Sequence, residues 1–114
     1  MLPSQTIVAI ASDPALLRSL AFALGVEGFD VETYDSWQAA QLSASRALCT
    51  IIDAEICRRD PRARQSLLDP ANKFVLLADG MWPCLDHANI HVLTKPLRGT
   101  DVLETVNAFR NAAR

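Results

Sequence analysis

Short apolar runs alternate with amphipathic segments along the whole chain. Three runs, at residues 6–11, 47–53 and 74–78, are continuous and rich in β-branched or large aliphatic side chains, which is typical of strands covered on both faces. The run at 29–34 alternates apolar and polar positions, which indicates a half-exposed strand at the edge of a sheet. A shorter run at 91–94 predicts a fifth strand.

The segment after the first strand predicts a helix with defined ends. Asp13 is a favourable N-cap residue, and Pro14 suits the first helical position. Apolar side chains then recur at helical spacing, namely at Leu16, Leu17, Leu20, Ala23 and Leu24. Gly25 and Gly28 are expected to end this helix.

Three further segments also predict helices. One begins after Asp35 and Ser36, either of which can cap it, and carries Trp37, Ala40 and Leu42. Another covers residues 62–68, and the last follows residues 99–101 and carries Val102, Leu103, Val106 and Phe109 on one face. Strands that alternate with helices in this way predict an α/β fold, with a parallel sheet and helices on both of its faces.

In such a sheet the functional crevice lies beyond the carboxyl ends of the strands. That rule selects the residues at which the apolar runs end. They are Ala11, Ser12, Asp13, Asp53, Ala78, Asp79 and Lys95. The rule predicts the place of a site and no chemistry.

Composition narrows the class of protein. The 114 residues suit a single domain, 1–114, and 50% hydrophobic with 21% charged residues is typical of a globular protein. A net charge of −2 lacks the basic footprint of a nucleic-acid-binding domain. No apolar run is long enough to span a membrane, and no export signal precedes the first strand, so a cytoplasmic location is expected. Three cysteines do not predict a disulfide framework.

Four stretches together resemble the receiver domain of bacterial response regulators. They are Asp-Pro-x-x-x-Arg-Ser-Leu-Ala-Phe at 13–22, Glu-Gly-Phe-Asp-Val at 27–31, the strand-ending Asp53, and Lys95-Pro96. The resemblance covers nearly all of the chain. It implies the CheY-like, flavodoxin-like sheet of five parallel strands in the order 2-1-3-4-5. It also implies the family's usual activity, which is to accept a phosphoryl group from a histidine kinase on the central aspartate.

Matched to the family pattern, Asp53 is the phosphoacceptor candidate and Lys95 is the partner of the acceptor and of the phosphoryl group. Two open interpretations of this pair are a partly buried ion pair and a residual phosphorylation site.

The family also places two acidic metal ligands after the first strand, and here those positions hold Ala11 and Ser12. An alanine supplies no ligand to Mg²⁺, and a neutral hydroxyl is a poor one. Asp13, Asp53 and Glu55 are weak metal candidates, and Asp13 is better explained as a helix cap. No cofactor is therefore expected.

The switch positions of the family are altered as well. Ala78 stands where the family has a serine or threonine, and it has no hydroxyl to donate. Val92 stands where the family has an aromatic residue that moves between two rotamers. The chain is thus identified as a degenerate receiver, or pseudo-receiver.

The connection between the fourth and fifth strands is short, because only twelve residues, 79–90, lie there, and Gly80 and Pro83 disfavour a helix. The helix that the family has at this place is predicted to be short or missing. Met81, Trp82 and Leu85 then form either an exposed interaction loop or a cover for the sheet.

Arginines cluster after the third strand, at Arg58, Arg59, Arg62 and Arg64. One interpretation is a binding surface for an anionic partner or ligand, and the other is a solvated face with Asp60 between the charges.

The sequence predicts a signalling interaction module of a two-component pathway that does not use aspartyl phosphorylation and is not an enzyme. Its partner would be a signalling protein such as a histidine kinase or an output domain, with a homodimer as an open alternative and neither nucleic acid nor membrane as a partner. A working receiver phosphorylated on Asp53 is the first alternative function. A flavodoxin-like small-molecule-binding domain is the second, although residues 11–14 do not resemble a phosphate-binding loop.

Overall fold

The computed structural model describes residues 5–69, 71–79 and 90–112. Within these ranges the elements in chain order are β1 (Thr6–Ile10), α1 (Pro14–Val26), β2 (Asp30–Tyr34), α2 (Trp37–Ala44), β3 (Cys49–Asp53), α3 (Ala54–Arg59), α4 (Pro61–Leu67), β4 (Phe74–Ala78), β5 (Ile90–Thr94) and α5 (Gly99–Ala112). All strand pairs are parallel, and the sheet order is β2-β1-β3-β4-β5. The predicted fold class and strand order are confirmed.

Burial of the strands follows their place in the sheet. Every residue of the central strands β3 and β4 is buried, whereas β2, at one edge, has only half-buried and exposed residues. The alternating pattern at 29–34 therefore correctly predicted an edge strand.

Helices cover the sheet on both faces. α1 and α5 pack on one face, around a cluster that includes Leu24, Ile51 and Val106. On the other face α2, α3 and α4 pack around Trp37 and Leu67. Apolar surface buried on both faces is the main stabilising contribution in a fold of this kind.

The ends of α1 show why the local sequence folds as it does. The Asp13 side chain accepts a hydrogen bond from the Ala15 backbone N–H at 2.9 Å, so the predicted cap is present. Gly25 lies inside the helix, and the expectation that it ends α1 was wrong. The chain reverses at Gly28, whose φ of 93° is readily adopted only by glycine, and the Phe29 N–H bonds back to the Leu24 carbonyl at 3.2 Å.

Two features of the short helices were not predicted from the sequence. Leu42 is 78% exposed, because the inward face of α2 is formed at Trp37 and Ala40, and Leu42 lies two residues, or about 200°, beyond Ala40. The chain after β3 forms the separate helix α3, which the sequence did not predict because six residues are too few to show a helical period.

Helix α4 begins at Pro61, one residue before the predicted start, where the Asp60 side chain accepts from the Arg62 backbone N–H at 2.9 Å. The segment predicted to have a short or missing helix lies between β4 and β5, and most of it falls outside the described residues.

Candidate phosphoacceptor site

Asp53 is the last residue of β3 and lies at the carboxyl edge of the sheet. Its side chain is only 5% exposed. One carboxylate oxygen, Oδ1, accepts a hydrogen bond from the Glu55 backbone N–H at 3.1 Å and so caps α3. A buried carboxylate requires further compensation, because an unpaired charge away from water is strongly unfavourable.

Lys95 supplies that compensation from the end of β5. Its backbone N–H donates to the Ala78 carbonyl at 2.8 Å, which holds the Lys95 backbone beside the end of β4. Its ammonium Nζ lies 2.9 Å from Asp53 Oδ2 and 3.1 Å from Asp79 Oδ1. Burial by itself lowers the pKa of Lys95, but hydrogen bonds to both carboxylates and their negative charge outweigh it, so the pKa is raised above its ordinary value.

Asp79 extends this ion pair into a chain of alternating charges. Its second oxygen, Oδ2, lies 3.9 Å from an Arg58 guanidinium nitrogen, and both side chains are about half exposed. The chain Asp53–Lys95–Asp79–Arg58 thus links β3, β4, β5 and α3. The sequence placed Asp79 at this edge but gave it no role, because the contact between its carboxylate and Lys95 depends on side-chain positions that only the folded chain fixes.

At the end of β1 the structure places Ala11 and Ser12. Ala11 is buried and offers no ligand, and the Ser12 hydroxyl donates to Glu55 Oε2 at 3.2 Å. Glu55 therefore lies at the mouth of the site, beside the position where the family has an acidic residue. The Asp13 carboxylate is turned to its helix cap.

These residues do not fit Mg²⁺. Among the described residues no three histidine, cysteine or acidic side chains come close enough together to hold a metal ion. Both oxygens of the Asp53 carboxylate already have partners, because Lys95 Nζ contacts Oδ2 and the Glu55 backbone N–H donates to Oδ1. Mg²⁺ needs several oxygen ligands in near-octahedral order, and the end of β1 supplies one neutral hydroxyl.

The remaining predicted residues are only partly placed. Ala78 is fully buried at the end of β4, and Val92 on β5 is 44% exposed. The predicted interaction loop of Met81, Trp82 and Leu85 lies outside the described residues. The roles of Asp53 as phosphoacceptor and of Lys95 as phosphoryl partner stay predictions.

No family model matches the chain. A curated relative does: the transcriptional regulator protein FixT of Rhizobium meliloti (strain 1021) is 41% identical over 115 residues, which covers 100% of both chains. This chain belongs to the FixT family.

Solved structures agree on the fold of this FixT family member. A response regulator receiver domain protein of Bacillus halodurans C-125 is 13% identical and superposes with a TM-score of 0.75, covering 94% of this chain and 97% of its own. A response regulator receiver protein of Sinorhizobium medicae WSM419 is 20% identical with a TM-score of 0.73, covering 97% and 98%. The predicted resemblance to receiver domains is confirmed.

The solved structures thus support the receiver fold, and the curated relative supports membership of the FixT family. Within the described ranges no helix is long and apolar enough to cross a membrane.

Proposed function

We propose that this protein is a phosphorylation-independent interaction module of a two-component-type pathway. Its partner is a signalling protein, either a histidine kinase or an output domain, and it has no enzymatic activity of its own. The observation that carries the proposal is the position of the Lys95 ammonium between Asp53 and Asp79, at 2.9 and 3.1 Å.

The Asp79 carboxylate supplies negative charge to Lys95 at a site where a working receiver would receive it from a phosphoryl group. The charge of Lys95 is thus balanced within the chain itself. An incoming phosphoryl group carries negative charge, so the half-exposed Asp79 would repel it. Ala78 offers it no hydroxyl, and at the end of β1 the family's two acidic positions hold Ala11 and the neutral Ser12. Each of these features disfavours phosphoryl transfer to Asp53.

One observation favours the alternative, a working phosphoacceptor. Glu55 brings a carboxylate to Ser12 at the mouth of the site, and in that alternative it would take part in recruiting a metal ion. The two functions differ in what they require of Asp53, which makes them separable by experiment.

The test is an amide NMR titration of the wild type and Asp53→Asn with Mg²⁺, followed by Mg²⁺ and beryllofluoride, a mimic of the aspartyl phosphate. We expect no saturable shifts at Asp53, Ala78 or Lys95. Saturable shifts in the wild type that vanish in Asp53→Asn would overturn the proposal. Glu55→Gln then tests whether that carboxylate recruits the metal.

A further inference from the structure

A groove of about 930 Å³ runs between α2 and α4, away from the Asp53 site. It is lined along the whole of α2, from Trp37 to Ala44, and along α4 from Arg62 onward. The eight residues of α2 span about 12 Å, which is the length of three or four residues of extended chain.

The groove exists because the walls carry small side chains and the helices are short. Ala44, Ala47 and Ala71 line it, and Trp37 and Phe74 form an aromatic base with ring centroids 5.9 Å apart. One wall is held in place by Asn72, whose Nδ2 donates to the Ser66 carbonyl at 3.1 Å. The groove is therefore part of the folded framework.

The groove is lined by two cationic side chains, Arg62 and Lys73, and by one carboxylate, Asp69. Arg62 lies on the first turn of α4 and Lys73 follows its last turn, and within the described ranges neither forms an ion pair. Asp69 is the acidic residue of the lining. Its Oδ1 accepts a hydrogen bond from the Ala71 backbone N–H, in the same loop, at 2.9 Å. Two cations against one carboxylate give the lining a net positive charge, which favours an anionic ligand.

We propose that this groove docks an acidic, partly apolar peptide segment of a partner protein. Arg62 and Lys73 would bind its carboxylates through charge-assisted hydrogen bonds. Gln41 and Gln65 line the same groove and offer amides to a peptide backbone, while Leu68, which is 62% exposed, offers a contact to apolar side chains. The proposal goes beyond the proposed function, because it names a surface and the chemistry of the segment that it binds.

The test is an amide NMR titration of the full chain with a five-residue blocked peptide of alternating aspartate and leucine. The same peptide with asparagine, and with lysine, in place of aspartate serves as the ligand control. We expect saturable shifts at Gln41, Ser66 and Lys73 with the aspartate peptide only. Absence of saturation up to about 1 mM, which corresponds to about −4 kcal/mol, would overturn the proposal.

Charge-reversal variants locate the binding. Arg62→Glu with Lys73→Glu is expected to lower the affinity for the aspartate peptide at least tenfold, or about 1.4 kcal/mol. The matched control, Arg46→Glu with Arg59→Glu, makes the same change in net charge at exposed residues outside the lining, and we expect less than a twofold effect. Equal losses in both double variants would mean attraction by general charge, and the groove would be wrong.

Two further measurements test whether binding depends on the shape of the groove and whether the ligand is a peptide or a small anion. Ala71→Trp fills the exposed wall without changing the charge and is expected to weaken the peptide about tenfold. Inorganic phosphate that produces the same shifts with the same affinity would overturn the peptide assignment in favour of a small-anion site. Asp53→Asn should leave peptide affinity unchanged, so this proposal and the proposed function can fail separately.

Discussion

The two faces of the sheet are built from helices of very different length. α1 and α5, with 13 and 14 residues, cover one face, whereas α2, α3 and α4, with 8, 6 and 7 residues, cover the other. On the first face, side chains such as Leu24 and Val106 are buried in one continuous cluster. On the second, an equally apolar cluster lies beside the α2–α4 groove.

The difference shows how one sheet can combine stability with binding. A long helix presents three or more turns to the sheet and excludes water along its length. Short helices leave gaps between their ends, and polar side chains such as Arg62 and Lys73 border those gaps. We therefore expect α1 and α5 to contribute most to stability, and the short helices to contribute the contact surface.

The largest effect is expected on the first face. Leu24→Ala removes a side chain that is 1% exposed and should lower the free energy of unfolding by about 2–5 kcal/mol, because the cavity is enclosed. The loss for Leu67→Ala on the second face should lie lower in that range, because the short helix α4 can shift and partly fill the cavity. Urea unfolding measures both, with Leu42→Ala, at a position 78% exposed, as a control of about 0.5 kcal/mol or less. A larger loss for Leu67→Ala than for Leu24→Ala would contradict the comparison.

The second-largest loss of stability is expected at the carboxyl edge of the sheet, where Lys95 contacts Asp53. Lys95→Met leaves the buried Asp53 carboxylate without its cation and should cost about 2–3 kcal/mol in urea unfolding at pH 7. Addition of Asp53→Asn should recover part of this loss, because the amide carries no charge. Arg58→Gln is the matched control and should cost about 0.5 kcal/mol or less, since its pair with Asp79 is 3.9 Å long and half exposed.

The same pair predicts a dependence on pH. The pKa of Lys95 is raised in the folded protein, so its contribution is fully present below the unfolded pKa of 10.5 and is lost as the pH rises through the raised value. The stability difference between the wild type and Lys95→Met should therefore shrink above that pH. A difference that stays constant into strong alkali would show that the charge of Lys95 does not matter.

Smaller losses of stability are expected when the N-cap residues of α1 and α2 are replaced. Asp13 caps α1 with a hydrogen bond of 2.9 Å, and Ser36 caps α2 with one of 3.2 Å from the Ala39 N–H. Each alanine substitution should cost about 1 kcal/mol in thermal or urea unfolding. Asp13→Asn should retain most of the stability, because the amide oxygen also accepts. Only a loss in Asp13→Asn as large as in Asp13→Ala would speak against the capping role.

The smallest expected effect is a difference in the rate at which two buried cysteines, one on each face of the sheet, are labelled. Cys49 belongs to the cluster under α1 and α5, and Cys57 to the one under the short helices. Burial raises the pKa of each thiol to about 12, so neither reacts with a disulfide reagent at pH 8 while its face stays closed. In a Cys84→Ser background, we expect Cys57 to react before Cys49, through local opening of the short helices. Faster labelling of Cys49 would reverse the assignment of the looser face.

Much of the architecture could be predicted because its signals are local. A strand buried on both faces must be continuously apolar, as at 74–78, and an N-cap needs a short polar side chain, as at Asp13. Helix α3 was missed because it begins directly after β3, with Asp53 as its cap, and turns again after six residues. The exposure of Leu42 was not predicted, because an apolar residue need not face the core.

At the candidate site, the sequence determined which chemical groups the chain can offer: a carboxylate at Asp53, an ammonium at Lys95, and no metal ligand at Ala11. These facts depend on residue identity alone. Only the tertiary structure decided which groups meet. It brings Asp79 to Lys95 and Glu55 to Ser12, and it leaves Arg62 and Lys73 in one groove. Electrostatic and hydrogen-bond energies depend on distance and burial. Ser12 and Glu55, like Asp53 and Lys95, are more than 40 positions apart and come into contact only when the parallel strands align their ends.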